Sequence, residues 1–134
     1  MLTKKDLWRH RQSGLELEDI KMQIQELTET MDGLQAQQIT DMPKGGGMPH
    51  SAIETAVIKL EALRDVYAGK LARWCDNQQM IEHEISDKLN PIQAAVVRAY
   101  YFRRKTWEQV AVELNYDPRS ITRIHGNALM ALSA

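Results

Sequence analysis

Hydrophobic residues in the first part of the chain recur at intervals that alternate between three and four. They are Leu17, Ile20, Ile24, Leu27, Met31 and Leu34. This spacing marks one face of an α-helix and is typical of a coiled-coil seam. Leu2, Leu7 and Trp8 extend the helix upstream. Gly14 and Gly33 each weaken a helix by about 1 kcal/mol relative to Ala, so we expect bends or ends there.

A second hydrophobic stripe with the same spacing follows. Its members are Ile53, Val57, Leu60, Tyr67, Leu71, Trp74, Ile81 and Ile85. Arg64 and Gln78 interrupt it, either because they set the register of the seam or because the seam is imperfect, and the sequence leaves both readings open. Residues 41–51 contain two prolines and three consecutive glycines, which predict a flexible loop. Residues 1–87 are therefore predicted to form a helical hairpin.

The last third of the chain contains three helix-start signals. Asn90 precedes Pro91, Thr106 stands three residues before Gln109 in a capping box, and Asp117 precedes Pro118. The first of these helices is expected to run to about Phe102. The second must stop near Asn115, because Asn tolerates the left-handed conformation and Pro118 disfavours helix in the residue before it.

The last two helices have the spacing of a helix-turn-helix. Ala111 is small at the position where the two helices approach each other, and Asn115 lies in the turn. Ile121 and Ile124 supply buried apolar side chains between the helices. Asn115 departs from the glycine that is usual in this turn. The predicted fold is all-α, with the hairpin followed by a small helix-turn-helix bundle at 88–134.

Charge is divided unevenly along the chain. Residues 1–87 carry 10 Lys and Arg against 15 Asp and Glu, a net of −5, whereas residues 88–134 carry 7 against 3, a net of +4. Attraction to phosphate requires cations locally, so this asymmetry is typical of a DNA-binding module attached to a non-binding partner.

The segment PIQAAVVRAYYFRRKTWEQVAVELNYDPRSITRIHGNALMAL resembles the fourth region of bacterial sigma factors. It resembles still more the RinA-like and ArpU-like group of phage transcriptional activators, through Thr106-Trp107-Glu108 and through Arg123-Ile124-His125. The loop sequence DMPKGGG between two amphipathic helices is also similar to small phage proteins of that group. The resemblance implies a sequence-specific DNA-binding regulator of phage or prophage genes.

In a helix-turn-helix the second helix, here about residues 118–132, enters the major groove of double-stranded DNA. We expect Arg119, Ser120, Thr122 and Arg123 to contact base edges, with Arg123 as the leading candidate because arginine can bond guanine through two donors. Contacts to the DNA backbone are expected from Arg103, Arg104, Lys105, Thr106 and Asn127. His125 is either a phosphate donor or a helix-surface residue without function. Tyr100, Tyr101 and Trp107 are expected to pack in the core.

We expect no enzymatic activity, no metal and no cofactor. The histidines His10, His50, His83 and His125 are scattered, and Cys75 has no partner at zinc-site spacing. The composition, with 43% hydrophobic and 26% charged residues, is that of an ordinary soluble protein. No run approaches the ~20 apolar residues of a membrane span, and residues 1–12 lack the apolar core of a signal peptide. We therefore expect a cytoplasmic protein.

Three functions compete. The first is the DNA-binding regulator. The second is an interaction protein that acts on RNA polymerase or another regulator through the helical hairpin, and the third is a small DNA-recognition subunit of a phage packaging machine. The sequence leaves open whether the N-terminal helices pair within one chain or form a homodimer.

Overall fold

The computed structural model describes residues 2–40 and 50–134, and within these ranges every regular element is helical. Five α-helices and one π-helical turn follow each other along the chain. They are α1 (Lys4–Thr40), α2 (His50–Lys88), α3 (Pro91–Val97), the π-turn (Arg98–Phe102), α4 (Trp107–Leu114) and α5 (Pro118–Ser133). A long helix pair is thus followed by a small helical C-terminal part, which confirms the all-α prediction. The loop predicted at 41–51 lies outside the described residues, except that α2 already begins at His50.

The chain forms two compact units. One consists of Met1–Glu16 together with Ala72–Ala134, and the other of Leu17–Leu71. The domain boundary expected between residues 87 and 88 falls inside the first unit. Helix α1 continues through both predicted weak points, so neither Gly14 nor Gly33 ends it.

In the unit of residues 17–71, the two hydrophobic stripes of the sequence are turned inward. Leu17 and Ile20 of α1 and Ala56 and Leu60 of α2 are all less than a tenth exposed. Burial of a Leu or Ile side chain contributes about 1.5–3 kcal/mol, so these stripes supply the stability of the pair. Arg64 lies exposed on α2, which favours the imperfect-seam reading for this position.

The other unit has a core to which both ends of the chain contribute. One cluster joins the first turns of α1, the last turns of α2 and the C-terminal helices. Its buried members are Leu7, Ile81, Ile85, Ala94, Val97, Tyr101, Phe102, Ala128 and Leu132. A second cluster, which includes Val96, Val110 and Ile121, fills the space among α3, α4 and α5. The start of α1 is therefore part of the same folded body as the C-terminal helices.

A buried histidine accounts for the second polar position in the α2 stripe. His10 is 1% exposed, and both of its ring nitrogens are hydrogen-bonded. The Nδ1 atom lies 3.1 Å from Asn77 Nδ2, and the Nε2 atom lies 3.1 Å from Gln78 Oε1. Because the amide nitrogen of Asn77 can only donate, Nδ1 must accept and the Nε2 proton is donated to Gln78. Burial lowers the pKa of His10, so the ring is neutral at pH 7. Gln78 is thus a specific partner for a buried group on α1, which favours the register-setting reading.

Candidate nucleic-acid interface

Helix α4, a three-residue connection and α5 form the helix-turn-helix. Thr106 caps α4 as predicted: its hydroxyl accepts from Gln109 N at 3.2 Å, and its own N–H donates to Gln109 Oε1 at 2.9 Å. Asn115 ends α4 in the left-handed conformation with φ of 59°, and Tyr116 N donates to Ala111 O at 3.0 Å. Asn at this position therefore does what glycine does in other turns of this kind.

The N-terminus of α5 is fixed by Asp117. Its carboxylate accepts a 2.8 Å hydrogen bond from Ser120 N, and this bond lowers the pKa of Asp117. Pro118 follows at the first helical position, where its lack of an N–H costs nothing. One face of α5 is buried, and its buried residues are Ile121, Ile124, Ala128 and Leu132. The opposite face is turned outward.

Four of the predicted DNA contacts lie on this outward face. Arg119, Thr122, Arg123 and Asn127 are exposed. Ser120 is half-buried, and its backbone N–H is used by the Asp117 cap. The Thr122 hydroxyl donates to Pro118 O at 3.0 Å, so toward an external group it is restricted to accepting. The structure therefore places two arginines, a threonine and an asparagine together along one helix face.

The predicted backbone contacts Arg103, Arg104 and Lys105 differ in their surroundings. Arg103 is exposed just after the π-turn. Arg104 has φ of 56° and is half-buried, with Nη1 donating to Phe102 O at 3.1 Å. A Cβ added to Gly14 would lie 2.7 Å from that Nη1, so glycine permits this close approach. Lys105 Nζ forms an ion pair with Glu113. Arg103 is the exposed member of the three, and its charge is one of those that lower the pKa of Glu82.

The π-turn was not predicted, since the hydrophobic pattern indicated an uninterrupted helix to about Phe102. Arg103 N donates to Arg98 O and Lys105 N to Ala99 O, both at about 3 Å. The extra residue that a π-turn inserts brings Ala99, Tyr101 and Phe102 into the core together. Arg98 is bound to Glu82 of α2 through two bonds of 2.6 and 2.8 Å, which lower the pKa of Glu82.

Aromatic rings connect α5 to the π-turn and to α4. Tyr100 stacks on Trp107 at 3.7 Å between centroids, and His125 lies 4.6 Å from Trp107. The Tyr101 hydroxyl and His125 Nε2 are hydrogen-bonded at 2.7 Å. Burial, and to a smaller extent the nearby Lys4, lower the pKa of His125 to about 4. His125 is thus a neutral, half-buried packing residue at pH 7, and neither alternative from the sequence, a phosphate donor or a helix-surface residue without function, describes it. Tyr101 is buried and Tyr100 and Trp107 are half-buried, as expected.

Several cations of the basic C-terminal segment are engaged internally. Arg98 pairs with Glu82, Lys105 pairs with Glu113, and Lys88 pairs with Glu84 at 3.3 Å. The positive charge that faces outward is therefore concentrated at Arg103, Arg119 and Arg123. This distribution could not be derived from the charge count, because the count does not show which cations have partners.

The described part of the chain is an all-α protein with a C-terminal helix-turn-helix. The chain belongs to the family described as protein of unknown function (DUF722), which it matches over residues 14–132. No curated protein and no solved structure matches it. Among the described residues, no helix is long and apolar enough to cross a membrane, and no group of three or more His, Cys, Asp or Glu side chains could hold a metal ion.

Proposed function

We propose that this protein is a sequence-specific regulator that binds double-stranded DNA through α5. The observation that carries the proposal is the outward face of α5, where Arg119, Thr122, Arg123 and Asn127 lie exposed beyond a capped, tightly turned helix-turn-helix. A helix of this kind fits the major groove with its first turns toward the base edges.

The arginines have different expected roles. Arg123 lies in the second turn of α5, where an extended side chain can reach a guanine with two donors. Arg119 belongs to the first turn, where it too can reach a base edge, whereas Arg103 lies beside α4 and is the candidate for a phosphate at the edge of the groove. Thr122 can accept from a base amino group, because its hydroxyl proton is directed to Pro118 O.

Contacts to the DNA backbone are assigned from the hydrogen bonds, ion pairs and exposure of each candidate side chain. Arg103 and Asn127 are the better candidates among the residues expected to bind phosphate. For Arg104 and Lys105, DNA binding would have to replace contacts that the structure already contains. Thr106 uses both its hydroxyl and its N–H to cap α4.

The proposal is tested with three full-length proteins on an enriched duplex and on a scrambled duplex of equal length. Arg123→Ala removes the base contact, Arg103→Ala removes a phosphate contact, and Arg64→Ala is the control because Arg64 is exposed on α2 within residues 17–71. A base contact is worth ~1–3 kcal/mol, so Arg123→Ala should weaken binding to the enriched duplex by roughly 5- to 150-fold and abolish the preference.

Loss of one phosphate contact has a different signature. Arg103→Ala should weaken binding to both duplexes equally and reduce the salt slope by about 0.9. If Arg123→Ala keeps the full preference for the enriched duplex, then α5 does not read the sequence through this residue. If all three variants bind like the wild type, the interface is elsewhere.

The resemblance of the C-terminal segment to phage activators and to sigma region four supports a role in phage or prophage transcription. A homodimer would present two copies of α5 to half-sites about one helical turn apart. A DNA-packaging subunit would instead assemble as a ring of many copies. Light scattering separates these assemblies by mass.

A second candidate function is contact with RNA polymerase, and one observation favours it. Val112 on α4 is 78% exposed, and it lines a groove together with Glu108, Glu113 and three cations, Arg103, Arg104 and Lys105. Glu113 is paired with Lys105, so an exposed valine in this groove of mixed charge suits a partly apolar protein surface that carries charges of both signs. Val112→Ala should weaken co-purification of polymerase and leave DNA affinity unchanged within about threefold, because it removes apolar surface and adds no charge beside Arg103.

A further inference from the structure

A small cavity lies between the first turns of α1 and the aromatic residues that support α5. Its volume is about 210 Å³. Four aromatic side chains line it: Trp8, Tyr100, Tyr101 and Trp107. All of them belong to the unit formed by residues 1–16 and 72–134. Trp8 is 41% exposed, which is unusual for a large aromatic ring and leaves part of one wall uncovered.

The polar groups of this cavity are few and distinct. Thr122 and His125 of α5 line one side, and Lys4 of α1 lines another. His125 is bonded to Tyr101 and is neutral at pH 7. Lys4 supplies the one cationic side chain of this lining, and its ammonium acts on the pKa of His125 across the cavity. The Thr122 hydroxyl donates to Pro118 O, so toward a ligand it can only accept.

The size of the cavity limits what it can hold. A cavity of roughly 150 Å³ binds benzene, whereas drug-sized ligands occupy roughly 300–1,000 Å³. A volume of about 210 Å³ therefore suits one planar group of one or two fused rings, with the rest of the molecule outside. Aromatic walls favour a π-system, the acceptor at Thr122 favours an N–H on that system, and Lys4 favours an anion attached to it.

We propose that this cavity binds the base of a nucleotide, with the ring against Trp8, a ring N–H or amino group on Thr122, and the phosphate near Lys4. Such a ligand would touch α5 directly through Thr122 and His125. The proposal does not rest on the proposed DNA binding, although the Thr122 hydroxyl takes part in both.

The test is calorimetric titration of the full-length protein with AMP, GMP, CMP and dTMP, with inorganic phosphate as a separate titrant. At least one nucleotide should bind saturably, and phosphate alone should not. Trp8→Ala should weaken that binding about tenfold, because base–aromatic stacking is lost. Lys4→Gln should weaken it about threefold and reduce its dependence on salt.

Matched controls are available on the same helix. Leu15→Ala removes a side chain of nearly equal exposure, 42%, that does not line the cavity, and Lys5→Gln removes an exposed charge next to Lys4. Both should bind like the wild type. Thr122→Val, which keeps the shape and removes the acceptor, should weaken binding even if Trp8→Ala fails to fold.

The source of the base is distinguished by competition. A single-stranded trinucleotide that displaces the bound mononucleotide on equal terms identifies an unpaired or terminal base of a nucleic acid as the natural ligand, and failure to compete identifies a free nucleotide. The proposal is overturned if no nucleotide binds saturably at millimolar concentration. It is also overturned if phosphate alone reproduces the binding, or if folded Trp8→Ala, Lys4→Gln and Thr122→Val all bind like the wild type.

Discussion

Replacement of His125 should change how the stability of the protein depends on pH. The ring is packed against Trp107 and bonded to the Tyr101 hydroxyl at 2.7 Å, so protonation in the folded state is opposed by burial. Burial lowers its pKa from 6.5 to about 4. His125→Gln keeps a side chain that can bond Tyr101 but cannot titrate.

The sign follows from the two pKa values. Between pH 6.5 and 4 the unfolded histidine binds a proton that the folded one does not, so protonation favours unfolding in this window. The stabilisation is fully present above pH 6.5 and is lost as pH falls. One pH unit in this window corresponds to about 1.4 kcal/mol, and partial exposure of the ring reduces the effect, so we expect a loss of about 1–2 kcal/mol between pH 7 and pH 5.

The assay is urea unfolding at pH 7 and pH 5, followed by tryptophan fluorescence and by circular dichroism. The lower limit of pH 5 avoids the carboxylates with lowered pKa, Asp6, Glu82 and Asp117, which lose their contribution at lower pH. His10 also has a lowered pKa and destabilises both proteins on acidification, so the difference between wild type and His125→Gln isolates His125. Equal losses in the two proteins would refute the assignment of His125 as a buried neutral ring.

Two further predictions concern the long helices. Gly69→Ala should raise the free energy of unfolding by about 0.5–1 kcal/mol, because no atom lies near the added Cβ. For Gly14→Ala the free energy of unfolding should be lower than for Gly69→Ala by about 1 kcal/mol, because Arg104 must move. Urea unfolding compares the two variants, and equal values would contradict the close approach of Arg104 to Gly14. Gln78→Leu should lower the free energy of unfolding by about 1–3 kcal/mol, because the buried N–H of His10 loses its acceptor. The control Arg64→Leu should change it by less than about 0.5 kcal/mol, since Arg64 is exposed. Equal effects of the two substitutions in thermal or urea unfolding would argue against a specific role of Gln78.

Features set by neighbouring residues were predictable from the sequence. The starts of α3, α4 and α5 follow from Asn90, Thr106 and Asp117, each of which satisfies a backbone N–H three residues later. The end of α4 follows from Asn115 and Pro118. The hydrophobic stripes of α1 and α2 likewise depend only on spacing, so the helices and their buried faces could be recognised.

Features that depend on distant parts of the chain were not predictable. The burial of His10 requires Asn77 and Gln78, which lie more than sixty residues away. The engagement of Arg104 beside Gly14 and of Lys105 with Glu113 also arises from packing. A run of three cations in the sequence cannot show which of them will face outward. For that reason exposure was predicted better on α5, where it follows from helical periodicity, than at residues 103–105.

The central claim is that α5 reads a DNA sequence, and selection from a random pool of duplexes tests it most directly. The full-length protein would be incubated with the pool at two salt concentrations, and bound duplexes would be sequenced after successive rounds. If α5 reads a DNA sequence, we expect an enriched motif, weaker binding at higher salt, and no enrichment by an Arg123→Ala variant tested in parallel. Weak, salt-dependent binding without any enriched motif would contradict it.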